Sequence, residues 1–168
     1  MSRLLLLLFL CVPSMGFAEK LSFERIAPLR AHEKSKPGEY FFEDQSSFDA
    51  FRVLNLSRFG RPSKLDSDVA AINESKHLLD SKRFKELNFN FKRESVAVII
   101  LGVKGSGGYD VVVDSVAAVK DEVVVSYHVS NPCGLATTSM TYPSAVIKFK
   151  KAGKKVRFVQ GDDQRCEK

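Results

Sequence analysis

The segment from Val96 to Tyr109 constrains the fold more than any other part of the chain. It reads VAVIILGVKGSGGY, six consecutive apolar residues followed by a glycine-rich stretch. Four of the six apolar residues are β-branched, which favours a strand. The run is much shorter than the roughly twenty residues of a membrane-spanning helix. We therefore predict a strand that is buried on both of its faces.

The glycines after this run predict a tight connection. Glycine adopts positive φ without steric cost, and we expect both Gly107 and Gly108 to do so. Tyr109 opens a second, valine-rich run. The sequence thus predicts a strand, a glycine-rich turn and a second strand that pairs with the first. A nucleotide-binding loop is disfavoured, because that loop requires a helix after the glycines.

The first 18 residues have the pattern of a secretory signal peptide. A single positive charge at Arg3 precedes a nine-residue apolar run, and small residues occupy positions 16 and 18. Cleavage between Ala18 and Glu19 would give a periplasmic or secreted protein without a membrane span. Lipidation at Cys11 is a disfavoured alternative, because the residue before it is not small. Loss of Arg3 would lower the formal net charge from +6 to +5.

Export would determine how many cysteines remain in the chain and whether they are oxidised. Cleavage would leave two of them, Cys133 and Cys166. In an oxidising compartment an even pair predicts a disulfide. It would close a loop of about thirty residues, worth about 3–4 kcal/mol in the chain-entropy model. Two free thiols remain the alternative.

The mature chain, residues 19–168, is predicted to be one domain whose two parts differ in their periodicity. The part from 19 to 86 contains a predicted amphipathic helix from about residue 48 to residue 56, with Ser46 or Ser47 as its N-cap. The segment from Ser63 to Phe84 is predicted to lie on the surface, and it forms either a second helix or a long excursion. The apolar face of the helix is predicted to comprise Phe48, Phe51 and Leu54.

From Leu87 onward the apolar residues alternate with polar ones, and turn signals separate short runs. This pattern predicts a β meander that closes with a hairpin of residues 145–150 and 156–159. The predicted fold class is therefore α+β and β-rich. An antiparallel meander or sandwich-like sheet fills the C-terminal half, and at least one N-terminal helix packs on it.

The sequence gives little support for catalysis. His32, His77 and His128 lie far apart, and no serine occupies a GxSxG elbow. Neither metal-ligand spacing nor a cofactor motif is present, so we predict a protein that is not an enzyme and has no cofactor or metal. A hydrolase with a dispersed catalytic set remains an alternative, because the members of a triad can be distant in sequence.

A basic set near the C-terminus is the strongest charge feature. It could bind a polyanion or an acidic partner. The favoured interpretation is that these residues protect the edge strand of a terminal hairpin from pairing with other chains. Aromatic residues do not alternate with the basic ones as in proteins that stack nucleic-acid bases, so we predict no nucleic-acid partner. The set comprises Lys148, Lys150, Lys151, Lys154, Lys155 and Arg157.

Several of these motifs together resemble the C-terminal domain of the PrcB protease-complex subunit family, over about residues 89–149. The resemblance implies a non-catalytic exported accessory protein that associates with or stabilises a protease. The glycine turn is predicted either to bind a partner or only to set the register of the strands; the candidate partner-binding residues are Ser106, Gly107, Gly108, Tyr109 and Pro132. The matching motifs are Phe89-Asn90-Phe91, Val96 to Gly102, Gly107-Gly108-Tyr109, Pro132, and Tyr142-Pro143 with Val146-Ile147.

A second family shares a smaller feature with this chain. The sequence Gly107-Gly108-Tyr109 is similar to a loop of the chagasin-type protease inhibitors, which are immunoglobulin-like sandwiches. The other inhibitory loops of that family are absent, and Asn131-Pro132 follows the tyrosine in place of preceding it. A secreted protease inhibitor is therefore an alternative function.

Overall fold

The computed structural model describes residues 18–26, 29–58, 89–132 and 138–163. The predicted surface segment 63–84 and both cysteines of the predicted disulfide lie outside these ranges. The elements in chain order are β1 (Glu19–Leu21), β2 (Phe23–Arg25), β3 (Leu29–Ala31), β4 (Gly38–Phe42), α1 (Gln45–Asn55), β5 (Leu56–Arg58), β6 (Glu94–Ile100), β7 (Asp110–Val119), β8 (Glu122–Ser130), β9 (Ser144–Lys150) and β10 (Lys155–Gln160).

The strands form two four-stranded sheets and a short ribbon. The first, the outer sheet, has the order β1-β7-β8-β10. The second, the central sheet, has the order β2-β9-β6-β4, and β3 pairs with β5 in the ribbon. One face of the central sheet packs on the outer sheet, and its other face packs on α1 and the ribbon. The β-rich α+β fold with a packed N-terminal helix is confirmed.

Strand β6 is buried on both faces, as its unbroken apolar sequence predicts. Ala97 and Ile99 face the outer sheet. Val96, Val98 and Ile100 face the helix and the ribbon. Fully burying one such aliphatic side chain contributes about 1.5–3 kcal/mol to the stability of the fold. Because β6 has buried side chains in both hydrophobic clusters, it stabilises both.

The pairing predicted for the glycine-rich turn is wrong. Strand β6 pairs with β4 and β9, while β7 pairs with β1 and β8 in the other sheet. The nine residues from 101 to 109 are longer than the usual hairpin loop of about two to five residues. They carry the chain across the roughly 10 Å between two stacked sheets and do not reverse it within one sheet.

The predicted terminal hairpin is also wrong. Strand β9 lies in the central sheet, and β10 pairs in parallel with β8 in the outer sheet. The turn at Ala152-Gly153 therefore crosses between sheets, like the glycine-rich connection. Val156 and Phe158 of β10 pack against the core shared by the two sheets, and this burial places β10 in the outer sheet.

Helix α1 begins earlier than predicted because its N-cap is Asp44 and not Ser46 or Ser47. The Asp44 carboxylate accepts a hydrogen bond from the Ser47 backbone N–H at 2.8 Å. Both serine hydroxyls donate to the same carboxylate, at 2.9 and 2.8 Å. These bonds, that of the Ser47 N–H foremost, lower the pKa of Asp44. The helix ends at Asn55 because Leu56 begins the strand that pairs with β3.

The helix packs through an aromatic cluster centred on Phe48, which is 1% exposed. Its ring lies 5.4 Å from that of Phe42, 5.1 Å from that of Phe89 and 6.0 Å from that of Phe91. Residues 89–91, which the predicted meander includes, form a loop and a turn, and the rings of Phe89 and Phe91 both contact Phe48. Leu54, predicted on the same face, is 69% exposed.

Tyr127 connects the two sheets at the edge formed by β4 and β10. It lies on β8 and is 4% exposed. Its hydroxyl donates to the Glu39 carboxylate of β4 at 2.6 Å, with Gln160 Oε1 at 3.4 Å. Burial raises the pKa of Tyr127 well above its usual value, and the Glu39 carboxylate raises it further. The native state therefore holds this proton more tightly than the unfolded chain does.

Replacement Tyr127→Phe is expected to lower the free energy of unfolding at pH 7 by about 1.5–3 kcal/mol, since a hydrogen bond to a charged group is lost. The raised pKa adds a pH dependence. Stability is fully present below the ordinary tyrosine pKa of about 10 and falls as pH rises above it. Urea unfolding at pH 7 and at about pH 10.5 measures how much stability each chain loses between the two pH values. This loss should be smaller in Tyr127→Phe than in the native chain.

Tyr142→Phe is the matched control, because the Tyr142 hydroxyl has no hydrogen-bond partner among the described residues. It is expected to change stability by about 0.5 kcal/mol or less. Equal alkaline losses in the native chain and in Tyr127→Phe would contradict the assigned role of Tyr127.

Candidate functional site: the glycine corner

The glycine-rich connection lies at the end of the sandwich where β6 ends and β7 begins. It is bound to the loop that leads into β9. Lys104 and Thr141 form an antiparallel bridge, with N–O distances of 2.9 and 3.0 Å. The Thr141 hydroxyl also donates to the Ser106 carbonyl at 2.8 Å. We call residues 101–109, 131–132 and 138–143 the glycine corner.

Two positions in this corner require glycine. At Gly108 φ is +89°, and a Cβ there would lie 2.7 Å from Cβ of Pro132. At Gly102 φ is +80°, and a Cβ there would lie 2.8 Å from Cγ of Pro37. Both the backbone conformation and the close approach therefore exclude a side chain. The prediction for Gly107 is wrong, because this buried residue does not have a positive φ. A Cβ on Gly105 would meet no atom within 4 Å.

Tyr109 is half-buried, and the Lys104 ammonium group lies 5.5 Å from the centre of its ring. This distance suits a cation–π contact, worth about 0.5–1 kcal/mol at an exposed site. Next to it, Asp110 forms a two-point ion pair with Arg25, at 3.0 and 2.7 Å. This pair joins the start of β7 to the end of β2, and so holds the two sheets together at the corner.

The corner also exposes apolar side chains that sequence reasoning missed. Val103 is 59% exposed and Met140 is 72% exposed. They lie on the two loops that the Lys104–Thr141 bridge joins. The other large exposed apolar residues of the described chain, Val53 and Leu54, lie on α1. A single apolar residue in a polar loop gives no sequence signal, so the three-dimensional structure was needed to bring Val103 and Met140 to one end.

The structure thus brings the five predicted partner-binding residues to one place. The comparison with known families finds a match that includes the same segment. Residues 95–150 match the family model described as PrcB C-terminal. The resemblance predicted from sequence is confirmed over this range. No curated protein and no solved structure matches the chain.

The PrcB-like region contains strands β6 to β9 and the whole glycine corner. These strands supply 11 of the 12 buried residues in the cluster between the two sheets and four of the nine in the cluster beneath the helix, so the match covers the centre of the fold and both connections at the corner. The helix, the ribbon and β10 lie outside it. Within the described ranges no helix is long and apolar enough to cross a membrane.

The predicted basic hairpin is divided between the two sheets, and several of its members have structural partners. Lys148, at the end of the PrcB-like region, lies 3.1 Å from Glu24 and 3.7 Å from Glu94. The hydrogen bond that the Lys148 ammonium group donates to the Glu24 carboxylate is the main cause of the raised pKa of Lys148. Arg157 pairs with Glu122 at 2.8 Å. The Lys151 ammonium donates to the backbone carbonyls of residues 43 and 91, at 2.9 and 3.3 Å.

One histidine of the PrcB-like region contacts a carboxylate. His128 is buried on β8, and its Nδ1 lies 2.8 Å from Asp114 Oδ1. A register shift between Val113 and Ser115 marks a bulge at Asp114. In the described ranges no hydroxyl or thiol is hydrogen-bonded to the His128 ring, and no group of side chains there could hold a metal. His32 accepts a bond from the Lys34 N–H, and His77 lies outside those ranges.

Proposed function

We propose that this chain is an exported, non-catalytic accessory subunit that associates with a protease and stabilises it. The match of residues 95–150 to the PrcB C-terminal family carries the proposal. That family takes its name from a protease-complex subunit, and the matched segment includes the entire glycine corner.

The glycine corner is the proposed binding surface for the protease. Its loops are fixed by the Lys104–Thr141 bridge and by the close approach of Gly108 to Pro132. On this fixed support Val103 and Met140 present apolar surface to solvent. Apolar anchors on a rigid loop lose little conformational entropy on binding, which favours a specific partner.

The double replacement Val103→Asp/Met140→Asp tests this surface. The tagged mature chain would be captured from the envelope or secreted fraction of cells that produce it. The casein-degrading activity retained with it would then be measured. The variant is expected to retain less than about a tenth of the native amount, because losing two apolar anchors weakens binding by about 2 kcal/mol or more. Its melting temperature is expected to stay near the native value, since both residues are exposed.

The matched control is Val53→Asp/Leu54→Asp, which places the same two charges on the exposed apolar pair of α1. Capture by this control is expected to equal that of the native chain. Lost capture in the control, with capture kept in the corner variant, would move the binding surface to the helix and refute the assignment to the corner.

Export is the second part of the proposal. Strand β1 begins with Glu19, the first residue after the predicted cleavage. Glu19 pairs with Ala118 in the outer sheet. N-terminal sequencing of the protein isolated from cells is expected to begin at Glu19. A sequence that begins at Ser2 or at Cys11 would contradict the predicted signal peptide.

A hydrolase is the competing function, and the His128–Asp114 contact is the observation in its favour. A histidine held by a carboxylate at Nδ1 is the arrangement of a general base. The replacement His128→Gln distinguishes the two functions. It is expected to leave the captured proteolytic activity unchanged, whereas a hydrolase built on His128 would lose its activity.

A further inference from the structure

A charged cavity lies at the end of the central sheet opposite the glycine corner. Its volume is about 860 Å³, and it opens where β6 begins and β9 ends. These seven-residue strands are about 20 Å long, so the cavity and the corner are separate surfaces. Five basic side chains line it against two carboxylates. The lining residues are Ser22, Phe23, Glu24, Lys92, Arg93, Glu94, Lys148, Phe149, Lys150 and Lys151.

Both carboxylates of the cavity already have partners within the fold. Glu24 and Glu94 contact Lys148, at 3.1 and 3.7 Å. The second oxygen of Glu94 accepts the backbone N–H of Asn90 at 3.0 Å. The Lys151 ammonium is held by two backbone carbonyls. The positive charge of the cavity is therefore not balanced by its own acids.

Three exposed cations remain: Lys92, Arg93 and Lys150. No carboxylate from the described parts of the chain lies within salt-bridge distance of them. Lys92 and Arg93 belong to the turn before β6, whereas Lys150 ends β9 and is directly opposite Glu94 in the register. The uncompensated charge thus comes from two segments on either side of one opening.

The exposed cations determine which ligand fits the cavity. Phe23 and Phe149 also line it, but Phe149 is 3% exposed and packs into the core between the two sheets. A ligand for this site therefore needs carboxylates at more than one position, to reach cations on two segments. Lysine, a flexible point charge, suits carboxylates whose spacing varies.

We propose that this cavity binds an acidic peptide segment of a partner protein. The site is independent of the glycine corner, and binding here would orient a partner through charge complementarity. Because the three cations are exposed, the interaction depends on ionic strength and weakens as salt screens it.

The test uses a fluorescein-labelled hexaglutamate peptide and the mature chain, with binding followed by fluorescence anisotropy. The native chain is expected to bind the peptide at low salt and to bind a hexaglutamine peptide far more weakly. Lys92→Gln/Lys150→Gln is expected to weaken hexaglutamate binding by about tenfold, since each lost ion pair contributes up to about 1 kcal/mol.

Lys34→Gln/Lys36→Gln is the matched control. It removes the same charge from two exposed lysines that do not line the cavity. It is expected to bind hexaglutamate within a factor of about two of the native chain, since at a distance greater than the Debye length of about 10 Å exposed charges are screened. Melting curves of both variants establish that they are folded.

Three outcomes would overturn the proposal. One is that the native chain does not bind hexaglutamate at low salt, and another is that the two double variants lose affinity equally. The third is that phosphatidylserine vesicles bind the chain and hexaglutamate fails to compete, which would assign the cations to a membrane surface. A Val103→Asp/Met140→Asp chain that binds hexaglutamate normally would separate this site from the proposed protease contact.

Discussion

Phe48→Ala is expected to lower the free energy of unfolding by about 3–5 kcal/mol, which is the usual cost of truncating a buried phenylalanine. The ring is 1% exposed and lies against three other phenylalanine rings. Its removal leaves a cavity between α1 and the central sheet, because the backbone of the sheet cannot collapse to fill the space. Chemical denaturation of the mature chain at pH 7 measures the loss.

Leu54→Ala on the same helix provides the control, since Leu54 is 69% exposed. The expected change is about 0.5 kcal/mol or less. Similar losses in the two variants would mean that the helix does not pack through Phe48, and the three-layer arrangement would be wrong.

Gly108→Val is expected to cost about 2–5 kcal/mol. Backbone strain at a φ of +89° contributes about 1–3 kcal/mol for a non-glycine residue. The Cβ would also lie 2.7 Å from Cβ of Pro132 and 3.2 Å from its Cα, and such overpacking adds about 1–3 kcal/mol. The loss is measured by urea unfolding, and a parallel loss of protease capture would show that the corner must keep its shape.

The same substitution at Gly105 serves as its control. A Cβ there meets no atom within 4 Å, and the backbone does not have a positive φ. Gly105→Val is expected to change stability by about 0.5 kcal/mol or less. If Gly108→Val is equally mild, the corner adapts to a side chain and its conformation is not specified by Gly108.

Sequence periodicity predicted the elements better than their pairing. Six consecutive apolar residues required a strand buried on both faces, and β6 is that strand. The pairing failed because a glycine-rich stretch is compatible with a hairpin and with a crossover between stacked sheets. Only the burial of Val111 and Val116 against the second sheet selects the crossover. The same ambiguity explains why β9 and β10 were predicted to form a hairpin, although they lie in different sheets.

The candidate sites show a similar division. The positive φ of Gly108 was predicted correctly, because this backbone conformation is a local property that glycine allows. A positive φ was also predicted at Gly107, which that residue does not have. The exposure of Met140 and the cavity beside Lys150 depend on contacts between distant segments. No local pattern records such contacts, so the basic residues could be recognised from the sequence but their arrangement could not.

Casein hydrolysis by purified residues 19–168, compared with that by the complex captured from its native envelope or secreted fraction, distinguishes an accessory subunit from a hydrolase. We expect no hydrolysis by the chain alone and measurable hydrolysis by the captured complex. Hydrolysis by the chain alone that His128→Gln abolishes would refute the accessory role and assign the activity to this protein.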